Sequence, residues 1–131
     1  MTPIYKRILL KLSGETLGGE QGSGFDYDTI RSLAKSVIAV HNLNVEVGIV
    51  IGGGNIFRGA KSTDSNIGRV AGDHMGMLAT VINSICLQEM LEQRGILTRL
   101  LSRGLGDVYK RQALNIRLSN CVQFNCRQDP S

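Results

Sequence analysis

At 131 residues, 42% of them hydrophobic, the chain has the composition of one globular domain, but too few residues for a complete sheet clad on both faces. Its formal charge of +4 is unevenly placed. Residues 1–102 carry ten Lys and Arg against nine Asp and Glu, or +1, and residues 103–131 carry five against two, or +3. With no Trp and no regular interleaving of aromatic and basic residues, this excess argues against nucleic-acid binding.

In chain order, Tyr5 to Leu12 reads as a mostly apolar strand ending at Ser13 and Gly14. Five glycines between Gly14 and Gly24 predict a loop. Asp26 or Asp28 then caps a helix whose stripe is Ile30, Leu33, Ala34, Val37 and Ile38, and which ends at Asn42 to Asn44. Val45 to Ile51 is a second, β-branched strand, halted by Gly52, Gly53 and Gly54. A long helix is expected from Asp73 to about Gln93, with Leu78, Val81, Ile82, Ile85 and Cys86 on one face, broadened by Met77, Met90 and Leu91. So wide a stripe predicts burial between layers. Gly95 suits the helix end, and Ile96 to Leu101 reads as a third strand. Alternating strands and helices predict parallel crossovers and an α/β class.

Beyond Ser102 no clean period remains. The run Gly106-Asp-Val-Tyr-Lys-Arg-Gln112 resembles translated adapter read-through, so residues 103–131 are expected to be a tail unrelated to the domain, disordered or artefactual. Three cysteines, Cys86, Cys121 and Cys126, show no C-x-x-C spacing. Zinc ligation and a disulfide framework are therefore not expected, and Cys86 reads as a small core residue. No apolar run of membrane-spanning length and no signal-peptide core is read along the chain, which sets the expectation of a cytoplasmic protein without a membrane partner.

Both glycine clusters fall at the carboxyl ends of predicted strands, where open parallel sheets take their ligands. Glycine there lets backbone N–H groups approach a phosphate with no Cβ in the way. The chain has no Gly-Lys pair and so no Walker A loop, and a G-x-G-x-x-G match begun at Gly52 meets Phe57 in place of its third glycine. Lys11, two residues before Ser13, is either a cation for a transferring phosphoryl group or a solvated edge lysine. Arg58 is either a phosphate fork or a surface residue, and Asp73 either caps the long helix or accepts hydrogen bonds from a ribose.

The segments Lys6-Arg-Ile-Leu-Leu-Lys-Leu-Ser-Gly-Glu15, Ile51-Gly-Gly-Gly-Asn-Ile-Phe-Arg-Gly59 and Gly72-Asp-His-Met-Gly-Met-Leu-Ala-Thr80 resemble the motifs of bacterial UMP kinases, a branch of the amino acid kinase superfamily. The resemblance covers about residues 4–102. It implies a three-layer α/β/α sandwich with a mainly parallel sheet, and phosphorylation of UMP to UDP by ATP with Mg²⁺. By matching position, Lys11, Leu12, Ser13 and Gly14 would line the ATP phosphates, Lys11 being catalytic. Gly54 and Arg58 would lie on the ATP side, and Gly53 and Asp73 would contact UMP. Residues Gly19, Glu20, Gln21, Gly22, Ser23 and Gly24 match a segment tied to activation by GTP, and UTP is the family's inhibitor. The full-length enzymes are hexamers, and the long helix lies in their subunit-contact region. His74 reads as structural, because an ionised phosphate acceptor needs no general base.

The family's later half, with the adenine pocket, a second UMP-binding segment and a catalytic aspartate, is not represented. The chain is thus expected to be an amino-terminal part without kinase activity of its own. Two other readings stand beside this one: another phosphotransferase of the superfamily acting on a carboxylate or carbamate, and a non-catalytic nucleotide-binding module.

Overall fold

A computed structural model describes residues 2–57, 66–101 and 121–124. Strand β1 (Arg7–Leu12) pairs in parallel with β2 (Glu46–Ile51), in a register that sets Lys11 beside Val50 and Leu12 beside Ile51. A short helix α1 (Gly14–Leu17) and a 3-10 turn (Gly19–Gln21) follow β1 where a loop was expected. Helix α2 (Tyr27–His41) joins the two strands. Helix α3 (Arg69–Glu92) leads to the two-residue strand β3 (Arg99–Leu100), and β4 is Cys121–Phe124.

The sheet order is β1-β2-β4-β3, with β4 antiparallel to both of its neighbours. Strand β3 therefore runs in the same sense as β1 and β2, which makes the sheet mainly parallel with one reversed strand. This is the α/β architecture expected from the alternation of elements. Strand β4 comes from the segment assigned above to an unrelated tail; residues 102–120 and 125–131 lie outside the described residues.

Alternation along β2 turns Val47, Ile49 and Ile51 to one face. There they join Ile30, Ala34 and Val37 of α2 and Leu87 and Leu91 of α3 in a single buried cluster. Both helices thus cover the same side of the sheet, as two right-handed crossovers advancing in one direction require. On the opposite side Leu9 is 61% exposed and lies over Gly48, its register partner. Arg7 and Glu46, also paired in register, form an ion pair at that exposed edge.

Helix α2 is N-capped by Asp26, whose carboxylate accepts a hydrogen bond from the Thr29 hydroxyl (2.7 Å) rather than from the backbone. Its C-terminus passes through Asn42 to Asn44, the latter in the left-handed region at φ 61°.

Helix α3 departs from expectation in three respects. It begins at Arg69 with Gly68 as N-cap, so Asp73 sits inside the helix and is not its cap. Its buried face is Ala79, Asn83, Ser84, Leu87, Gln88 and Leu91, with Val81, whereas Leu78, Ile82 and Ile85, expected on the buried stripe, are each nearly half exposed. A helix apolar nearly all round carries little periodic signal, and the choice of face falls to what the sheet and its loops present. Third, its 24 residues are long and apolar enough, by length and composition, to cross a membrane, contrary to the reading of the sequence. Its Leu87 and Leu91 are buried in the sheet's cluster, while Met75, Leu78, Ile82 and Ile85 are exposed.

Candidate functional site

Because β1 and β2 are adjacent and parallel, the glycine turns that follow them emerge side by side. The ladder runs one step past the strands, Gly52 N–H donating to Leu12 O at 3.0 Å. Beyond it the turns are in contact. A Cβ added to Gly14 would stand 2.5 Å from Gly54 N, 2.7 Å from Gly52 O and 2.8 Å from Asn55 Oδ1, so nothing larger than glycine fits. The second turn closes on itself, with Ile56 and Phe57 both donating N–H bonds to Gly53 O at 3.0 Å.

The second turn also rests on α3. A Cβ on Gly53 would meet the Ala79 methyl at 2.7 Å and the helix backbone at Gly76 and Thr80 at 3.2 Å. Asp73, exposed, lies one turn further toward the helix N-terminus, and the Phe57 ring lies against neighbouring Gly72. Of the residues expected to bind the acceptor nucleotide, Gly53 and Asp73 are thus on adjoining surfaces. Of those expected on the donor side, Leu12, Ser13, Gly14 and Gly54 form the paired turns, and Lys11 is the exposed penultimate residue of β1. Ser13 is the N-cap of α1, its hydroxyl 3.1 Å from that of Thr16. Arg58 lies outside the described residues. His74 is exposed on α3.

The Gly19–Gly24 segment packs back onto the same region. Gly19, Gly22 and Gly24 all take positive φ, which lets the chain reverse within six residues. Gly24 N–H then donates to Asn55 O at 2.9 Å, and Asn55 Nδ2 donates to Gly24 O at 2.9 Å.

Two residues of this region were given no role in the sequence, Asn55 entering only as a member of a quoted motif and Asn83 not at all. Asn55 and Asn83 are buried, at 5% and 0% exposure, and face each other through a reciprocal amide pair. The available signal was an asparagine at the second position of the four-spaced row Ala79, Asn83, Leu87, Leu91, otherwise wholly apolar. No buried side-chain polar atom among the described residues lacks a hydrogen-bond partner. Nor do those residues bring together three His, Cys, Asp or Glu side chains able to hold a metal. No residue is therefore assigned to Mg²⁺.

Glycine turns in contact at the carboxyl ends of neighbouring parallel strands are the arrangement in which open α/β sheets take phosphorylated ligands. Residues 6–124 match the model of the Amino acid kinase family, and the chain belongs to that family. It is 54% identical over 100 residues to a uridylate kinase of Methylococcus capsulatus, covering 76% of this chain and 42% of that protein. A uridylate kinase of Alcanivorax borkumensis is 46% identical over 123 residues, covering 91% and 49%. Among solved structures, the UMP kinase of Ureaplasma parvum superposes with a TM-score of 0.68 at 36% identity, over 75% of this chain and 43% of that one. The chain spans about half the length of the curated relatives it matches.

Proposed function

We propose that the chain is the amino-terminal part of a nucleoside monophosphate kinase that transfers the γ-phosphoryl group of ATP to UMP, giving UDP for pyrimidine nucleotide synthesis. The observation that carries this reading is the contact between the turns after β1 and β2, at Gly14 and Gly54. Turns on opposite edges of the sheet could not have held two phosphates in line. The similarity to uridylate kinases selects the acceptor.

In this reading Lys11, Leu12, Ser13, Gly14, Gly54 and Arg58 take the ATP phosphates, and Gly53 and Asp73 take UMP. The acceptor is already an anion, so the protein's work is alignment and charge neutralisation. Lys11 offers a point charge at the transferring group, and Mg²⁺ arrives as the counter-ion of ATP. The segment from Gly19 to Gly24 answers to GTP as activator, UTP inhibits, and the complete enzyme is a cytoplasmic hexamer.

The test is a coupled assay on two proteins: this chain, and the same chain extended with the second half of a relative. UMP-dependent ADP release from the extended protein, lost in Lys11→Ala, supports the reading. No turnover with UMP, or turnover with a carboxylate acceptor instead, overturns it. The 131-residue chain itself is expected to show none.

A further inference from the structure

We infer that Asn55 and Asn83 are positioning residues that set the spacing of the two glycine turns; this rests on the reading of those turns as the nucleotide site. The amides form a closed ring. Asn55 Nδ2 donates to Asn83 Oδ1 at 3.0 Å, and Asn83 Nδ2 donates to Asn55 Oδ1 at 2.7 Å. Each nitrogen has a second hydrogen, and each spends it on a backbone carbonyl: Asn55 on Gly24 O at 2.9 Å, Asn83 on Gly52 O at 2.7 Å. All four amide hydrogens are thereby used, and the two carbonyls fix which end of each amide is nitrogen.

The connections are what a spacer requires. Asn83 belongs to α3, whose next turns carry the core residues Leu87 and Leu91, so it is anchored in the rigid part of the fold. From there one hydrogen bond holds the start of the second turn at Gly52. The ring passes to Asn55, whose oxygen lies directly beneath the place where a Cβ of Gly14 would be. Asn55 then holds Gly24 through both its side chain and its carbonyl. First turn, second turn and the Gly19–Gly24 segment therefore all take their positions from one buried pair. An apolar pair of the same volume would fill the space, yet it would fix neither carbonyl and would leave both without partners.

Aspartate separates this role from packing, since it keeps the shape and removes the donors. Hydrogen exchange of the 131-residue chain, followed by NMR, reads the outcome without any nucleotide, so it fails or holds independently of UMP phosphorylation. At neutral pH, Asn83→Asp is expected to speed exchange at Ile56 and Phe57, whose amides bond to Gly53 O, about tenfold, with Leu87 and Leu91 unchanged. At about pH 4 the carboxyl is protonated and donates one bond again, and part of the protection relative to the parent chain returns. Asn55→Asp keeps the bond to Gly52 O and loses that to Gly24 O, so it should loosen Gly24 and spare Ile56 and Phe57. Should Asn83→Asp not fold, Asn55→Asp alone decides. Uniform acceleration through α2 and α3, no change at the three reporter amides, failure of both variants to fold, or the same protection at both pH values overturns the inference.

Discussion

Gly14 is the residue on which the approach of the two turns depends. Its replacement by alanine puts a methyl within 2.8 Å of three atoms, two of them backbone, so the turns must part. Gly14→Ala is expected to cost about 1–3 kcal/mol, read as a lower urea midpoint at unchanged slope. Cys86 tests burial at the same scale. Partial burial of its thiol pushes its pKa above the ordinary range. The thiol form is favoured in the fold, so alkylation by iodoacetamide should rise with pH at a higher midpoint than in the denatured chain, measured at the Cys86 peptide by mass spectrometry. Asn83 shows why residue roles were only partly legible. The Lys11-to-Gly14 and Gly52-to-Gly54 runs announce themselves because glycine clusters after apolar runs are rare. A single asparagine in a helix gives no sign of the partner 28 residues away.

Among the elements, the β1-α2-β2 unit was readable because its signals agree: apolar or β-branched runs halted by glycines in the strands, i/i+3/i+4 in the helix, and asparagines at the helix stop. Helix α3 was not, because residues on every side of it are apolar and its buried face is the more polar one. That face receives the Gly53 turn and Asn55, neither of which leaves a mark on the helix's own periodicity. The assignment makes two substitutions diverge. Leu87→Ala, at a fully buried position, should cost about 2–5 kcal/mol in denaturant unfolding. Ile82→Glu, at 47% exposure, should change stability by no more than about 0.5 kcal/mol. The same Ile82→Glu change should reduce self-association in sedimentation, since it breaks the row of exposed Met75, Leu78, Ile82 and Ile85.

For the molecule as a whole, β1, β2, α2 and α3 carry the paired turns on one flank and Asp73 on the other, and the chain spans about half the length of the relatives it matches. The class of the fold followed from the order of elements alone. The position of β4 did not, because four residues in a stretch without periodicity carry no message about which strands they will separate. Its place between β2 and β3 bears on how the chain assembles. The first two strands can zip together as soon as α2 has formed, but among the described residues the strand that β3 pairs with is residues 121–124. Synthesis must therefore outrun pairing, with Arg99 and Leu100 waiting some twenty residues for their neighbour. A released chain truncated after Leu101 should protect the amides of β1 and β2 from exchange and leave that of Leu100 open.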